Sequence, residues 1–196
     1  MRLFDYNDFP EGLCYTPMWL RQTEQDSLLQ LIDASTWGVD LGRRTQHFGR
    51  RYNYATGRVE GSGSAPPLPE LLGDLAARLY DERVMKQVPE QVIVNEYLVD
   101  ETKTQGIAAH VDHVRDFGPV VVTLSLLEGW SMRFTREGHK FVDHLLEPGS
   151  IAVLAGASRY DWQHSIPRRK FEREGGVKIP RRRRVSITFR TTGGGL

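Results

Sequence analysis

Apolar residues recur along this chain with two different periods, and the change between them divides it. From about Thr23 to Ser35, residues Leu28, Leu29, Leu31 and Ile32 form one stripe at helical spacing. This predicts an amphipathic helix with Thr23 as N-cap and Asp26 in its first turn. The Gly61-Ser-Gly-Ser-Ala-Pro-Pro67 stretch then breaks regular structure. A second helix is predicted over about Glu70 to Arg83, with Leu71, Leu72, Leu75 and Leu79 on one side, and both helices are expected to brace a sheet. From Gln91 onward strands dominate: Gln91 to Leu98, the apolar run Pro119 to Leu127, Trp130 to Phe134, and Ser150 to Leu154 after a Pro148-Gly149 turn. In the first of these Ile93, Asn95 and Tyr97 share a face. In the segment Arg184 to Arg190, Val185, Ile187 and Phe189 take one face, and Arg184, Ser186 and Arg190 take the other. Gly175-Gly176 falls in a loop expected to be flexible. Periodicity alone therefore indicates a β-rich α+β chain.

At 196 residues the chain is long enough for one domain with a sizeable core, and neither a repeat nor a linker separates two cores. A lone Cys14 excludes an intramolecular disulfide. No secretion signal and no apolar run near 20 residues is present, so a cytoplasmic protein is expected. The formal charge of +1 hides an uneven distribution, since residues 159 to 190 carry eleven Lys and Arg against three Asp and Glu. This basic region reads either as a solvated rim or as the footprint of a polyanionic partner.

The chemistry lies in His110-Val-Asp112, followed by His164. Two imidazoles and a carboxylate on one side of an ion leave open positions suited to Fe(II), a chelating substrate and O2. Arg184 and Arg190 share a face with Ser186, and an arginine fork matches a carboxylate bidentately, so that face suits a small dicarboxylate such as 2-oxoglutarate.

In the ordered series Asn95-x-Tyr97, His110-x-Asp112, Pro148-Gly149, Ser158-Arg159, His164 and Arg184 to Arg190, the sequence resembles the AlkB family of Fe(II)/2-oxoglutarate-dependent dioxygenases. The resemblance covers roughly residues 91 to 190. It implies that His110, Asp112 and His164 bind iron and that Arg184 pairs with the distal carboxylate of 2-oxoglutarate, helped by Asn95 and Tyr97. Ser186 lies beside them, and Arg190 lies near the iron-chelating end. It also implies a double-stranded β-helix, or jelly roll, with flanking helices: helical and substrate-lid elements over about 1–90, and a catalytic core over about 91–190. Two positions depart from the family's DNA-repair founder, which has an acidic residue where Val114 stands and an asparagine where Ser186 stands. The spacing from Ser158 to His164, and the stretch Gln46 to Tyr52, look more like relatives acting on tRNA wobble uridines.

The implied activity is oxidative demethylation or hydroxylation of alkylated or modified bases in DNA or RNA, with Fe(II), 2-oxoglutarate and O2. A base in a duplex must be extruded to reach the metal, which requires a flat receiving surface. Candidate substrate contacts are Phe48, Arg51, Tyr52 and Tyr54, together with Arg159, Arg168 and Arg169, of which the last two are candidates for phosphates; aromatics in such a run are more often core or sheet-face residues. Trp162 is expected either to meet substrate or to buttress the His164 loop. His113, His139 and His144 are expected to be ordinary exposed histidines. A hydroxylase of a small molecule or protein is the alternative, and a non-catalytic β-barrel binding module stands third.

Overall fold

The computed structural model describes residues 9–39, 42–53, 55–61 and 63–193. Strand β1 (Leu13–Thr16) leads into helix α1 (Gln22–Ala34); β2 (Thr45–Phe48) and the short pair β3 (Tyr52–Asn53) and β4 (Arg58–Val59) precede α2 (Glu70–Asp81). Then come β5 (Gln91–Leu98), β6 (Ile107–His110), β7 (Phe117–Leu126), β8 (Trp130–Thr135), β9 (Val142–Leu146) and β10 (Ile151–Leu154). Helix α3 (Gly156–Tyr160), β11 (Gln163–Ile166), β12 (Phe171–Glu174), β13 (Val177–Pro180) and β14 (Arg183–Thr192) complete the described elements.

The strands form a six-stranded sheet, ordered β1-β10-β7-β14-β5-β2, and a four-stranded sheet, ordered β6-β11-β8-β9. All pairings are antiparallel, and the architecture is a jelly roll with flanking helices. Strand β14 lies between β5 and β7, and its two faces have different tasks. Val185, Ile187 and Phe189 enter an apolar cluster with Leu28 and Ile32 of α1 and Leu72, Leu75 and Leu79 of α2. The opposite face continues across the sheet, because cross-strand partners point the same way: Arg184 faces Tyr97, and Ser186 lies between Asn95 and Ser125. A second apolar cluster, with Trp130, Met132, Phe134, Trp162 and Ile166, packs around the smaller sheet. Trp162 thus belongs to packing.

Several sequence expectations need correction. Helix α1 begins at Gln22, and Glu24 Oε2 accepts the backbone N–H of Arg21 (2.8 Å), so Thr23 lies inside the first turn rather than capping it. Leu71 points outward; Ala76 joins Leu72, Leu75 and Leu79 on the buried side. Gly175 and Gly176 both have positive φ (55° and 85°), which gives the two-residue hairpin turn joining β12 to β13 rather than a loose loop. Gly149 is required by space as well as by its φ of 74°, since a Cβ there would lie 2.5 Å from Gln25 Nε2 and 3.0 Å from the Leu20 carbonyl oxygen. His144 is buried against the edges of Tyr15 and Phe9, and burial lowers its pKa, opposed by Glu147. Among the described residues no helix is long and apolar enough to cross a membrane.

Candidate metal and cosubstrate site

His110 ends β6 and pairs directly across the ladder with His164 of β11, their ring centroids 4.4 Å apart. Asp112 lies just beyond the strand, two residues after His110, in a loop that brings its carboxylate toward the two rings. Asp112 Oδ2 is 3.5 Å from His164 Nε2, and one ligand atom from each of the three residues lies within 4.8 Å of the others. His110 Nδ1 is 2.9 Å from the Ala108 carbonyl oxygen. A proton on that nitrogen, donated to the carbonyl, leaves Nε2 as the lone-pair donor.

The protonation states suit a divalent cation. Burial works to raise the Asp112 carboxyl, but Arg190, with the rings of His164 and His110 behind it, holds it at about 2. Arg190 Nη1 lies 2.8 Å from Asp112 Oδ1. Burial lowers His164 to about 4 against the opposing pull of Asp112. At neutral pH the ligand atoms of Asp112 and His164 are therefore already deprotonated, as metal binding requires.

Arg159 explains how a loop can hold Asp112 in place. Although expected at the substrate, it is 1% exposed, and its guanidinium donates to four backbone carbonyls: Asp112 (2.8 Å), Gly118 (3.3 Å), Phe117 (3.4 Å) and His113 (3.5 Å). A planar five-donor group is the one side chain able to gather so many acceptors at once, here from the Asp112 loop and from the start of β7 into which it leads.

Arg184 is fully buried, and among the described residues it has no carboxylate at ion-pair distance. Its Nη2 donates to Ser125 Oγ (2.8 Å), and Tyr97 lies beneath it at 5.5 Å, but Nε and Nη1 have no hydrogen-bond partner among the described residues. Burial brings its pKa down to about 10, against the pull of Tyr97, so it stays cationic at neutral pH. A buried cation with two idle donors is costly unless an anion completes it. Asn95, Tyr97, Ser186 and Arg190 join Arg184 and the three metal-type ligands in lining one cavity of about 710 Å³. The donor set fits Fe(II), and the Arg184 end fits a carboxylate.

The proposed substrate residues divide. Tyr52 lines the cavity with its ring 5.7 Å from that of Phe117, and Arg168 lines it too. Phe48 does not: it is buried in the helix-side core beside Val92, because β2 turns that position away from the cavity. Arg169 is engaged by Glu172 (2.6 Å) and Asp143 (3.2 Å) and lies outside the cavity wall, as does Arg51, whose N–H donates to Ser64 Oγ. Tyr54 lies outside the described residues. His113 is one-third exposed and lines the cavity, 3.5 Å from Asp116, so it is not an ordinary surface histidine. Sequence reasoning missed Arg43, Lys103 and Phe117, which also line the wall. Arg43 and Lys103 stand in irregular segments where no periodicity assigns a face.

Residues 12–190 match the 2OG-Fe(II) oxygenase superfamily, and the chain belongs to that superfamily of Fe(II)- and 2-oxoglutarate-dependent enzymes. Within it the chain is AlkB-like. It is 30% identical over 185 residues to the mouse alpha-ketoglutarate-dependent dioxygenase alkB homolog 7, mitochondrial, a match covering 92% of this chain and 78% of that protein. It is also 30% identical over 174 residues to mouse tRNA (carboxymethyluridine(34)-5-O)-methyltransferase ALKBH8, covering 83% of this chain but only 25% of that longer protein. Among solved structures, OsALKBH1 superposes with a TM-score of 0.66 at 17% identity, over 93% of this chain and 97% of the other, a likeness of fold.

Proposed function

We propose that this dioxygenase acts on an alkylated or modified base in nucleic acid, with His110, Asp112 and His164 holding Fe(II), and Arg184, Asn95, Tyr97 and Ser186 receiving 2-oxoglutarate. When bound, the metal, the keto acid and O2 supply oxidative decarboxylation to succinate and CO2 coupled to oxidation of a substrate C–H bond. The protein's own residues do the positioning. The His110 contact to Ala108 fixes that ring, Arg190 orients Asp112 through one oxygen and leaves Oδ2 toward His164, and Arg159 secures the loop beneath. Arg184 meets the distal carboxylate with its idle Nε and Nη1.

The observation that carries the cosubstrate assignment is the buried Arg184, without an acid partner among the described residues, lining the same cavity as the three ligand residues. The nucleic-acid reading draws on the tRNA enzyme matched over most of this chain, and on Tyr52 as a flat group in the cavity wall. The 196 residues are read as a single catalytic domain, in keeping with a family match over residues 12–190, and the lone exposed Cys14 fits a reducing, cytoplasmic setting.

Incubating the enzyme with Fe(II) and 2-oxoglutarate and either alkylated DNA or total tRNA, followed by nucleoside mass spectrometry, tests this reading. Loss of a modified nucleoside or gain of a hydroxylated one, with stoichiometric succinate, is expected. Unchanged nucleosides in both pools would move the assignment to a small-molecule or protein hydroxylase. His110→Ala, Asp112→Ala and His164→Ala are each expected to abolish coupled turnover, and near wild-type succinate yield from any of them would remove that residue from the ligand set.

A further inference from the structure

The charge balance of the cavity says what kind of substrate it takes. Its described wall carries Arg43, Lys103, Arg168, Arg184 and Arg190 against a single carboxylate, Asp112. With histidines neutral, that is a net +4. Fe(II) brings two positive charges and 2-oxoglutarate two negative ones, so loading the site with both leaves the excess where it was. A chain whose formal charge is only +1 has thus gathered unbalanced cations around one cavity.

These cations differ from their neighbours. The nearby arginines outside the wall are engaged, Arg44 and Arg183 with Glu96, Arg133 with Asp143, and Arg169 and Arg181 with Glu172, and within the wall Arg190 is paired with Asp112. Arg43, Lys103 and Arg168 form no ion pair among the described residues. Arg43 donates to Asn95 Oδ1 (2.8 Å), where the carboxamide accepts without neutralising it. Asp100 shares the Lys103 loop and lies within electrostatic reach of its ammonium, but no ion pair closes between them, and Asp100 accepts the backbone N–H groups of Thr102 and Lys103. The two outer cations stand on neighbouring segments. Lys170 Nζ donates to the Glu101 carbonyl (3.3 Å), and Gly106 lies directly against Arg168, where an added Cβ would fall 2.9 Å from its Cγ.

We infer that Arg43, Lys103 and Arg168 form a phosphate-receiving collar around the cavity, so that the substrate enters as a nucleotide within a strand, its flanking phosphates on the collar and its base toward the metal-type ligands. This rests on the nucleic-acid reading above and adds to it the residues that select a polyanion. Phosphates fix register and orientation while the base is chosen deeper in the cavity. Free nucleosides, lacking those charges, bind poorly.

The test is titration of a fluorescent single-stranded oligonucleotide bearing an alkylated base, across salt concentrations, with wild type and with Lys103→Glu/Arg168→Glu. Arg43 stays in place because it also holds Asn95. The variant is expected to lose about tenfold or more in affinity, with the slope of log affinity against log salt flattened by about 0.7 for each lost contact. Lys86→Glu/Lys140→Glu makes the same charge change outside the cavity and should keep the wild-type slope. The rise in melting temperature caused by 2-oxoglutarate, measured on the same samples, reports whether each variant is folded and holds its cosubstrate. If wild type binds the oligonucleotide and the collar variant binds with the same affinity and slope, the collar is wrong and the nucleic-acid reading survives. If the collar variant loses its 2-oxoglutarate response, these cations serve the dicarboxylate and the inference falls. If wild type binds no oligonucleotide at any salt, both readings fall together.

Discussion

A buried guanidinium can bind substrate, balance an acid or hold backbone, and only its surroundings decide which. Arg159, Arg181 and Arg184 illustrate all three outcomes. Arg181 is 3% exposed and paired with Glu172; Arg184 is fully buried and pairs with no acid among the described residues; Arg159 gives its donors to carbonyls of the Asp112 loop and the start of β7. Arg159→Lys keeps the charge but loses the fork, so the Asp112 loop loses the guanidinium that ties it to the start of β7. Metal affinity is expected to fall by about 10- to 100-fold, the range for residues that orient ligands. Titration with Co(II) or Mn(II), followed by ligand-field or quenching signals, measures this without turnover. An unchanged metal affinity would make Arg159 a packing residue only. The sequence gives Arg159 its place beside Ser158 in a motif, but a basic residue near His164 looks the same whether it meets phosphate or carbonyl.

At the scale of elements, legibility followed periodicity. Strand β14 was readable because alternation sorted Arg184, Ser186 and Arg190 from Val185, Ile187 and Phe189, and its register against β5 places Asn95 and Tyr97 beside the same row. The hairpin β12–β13 was not readable. Its two glycines suggest looseness, while its anchor is Glu172, one acidic residue in a basic stretch. That carboxylate is 4% exposed and accepts from Ser131 N–H (2.8 Å), Ser131 Oγ (2.8 Å), Arg169 and Arg181. Burial opposes its charge, but the Ser131 N–H and the Arg181 guanidinium prevail, so its folded pKa lies below the ordinary 4.5. A depressed carboxyl contributes stability that is present above 4.5 and is lost as pH falls through the folded value. Glu172→Gln leaves Arg181 buried without its counter-charge, at a cost of about 3–5 kcal/mol near neutral pH. Urea unfolding across pH should show the two proteins converging in acid. A constant gap down to the lowest pH would show that the glutamate's charge is not what anchors the hairpin.

For the whole molecule, two apolar clusters carry the packing, and the cavity between the sheets concentrates groups that folding alone would not choose. The helix-side core was legible as leucine stripes, because burial there follows composition. The cavity was only partly legible, because Arg43, Lys103 and Phe117 reach it from segments whose position depends on the closed sheets. Arg184 shows what such a site costs: a desolvated cation with Nε and Nη1 idle opposes folding until an anion arrives. Arg184→Met, similar in volume and apolar, removes that cost, so the variant without ligands should melt no lower than wild type. Wild type should gain on adding 2-oxoglutarate with a redox-inert divalent metal, by about 2.7 kcal/mol at a ligand concentration one hundred times Kd. For a chain of this size that is a rise of about 5–10 °C, and Arg184→Met should lose the cosubstrate's share of it while keeping the share due to metal. The ordering decides the matter in a thermal-shift series. If Arg184→Met without ligands melts well below wild type, the guanidinium is a structural group satisfied by its own chain, and the cosubstrate's carboxylate has to be sought elsewhere in the cavity.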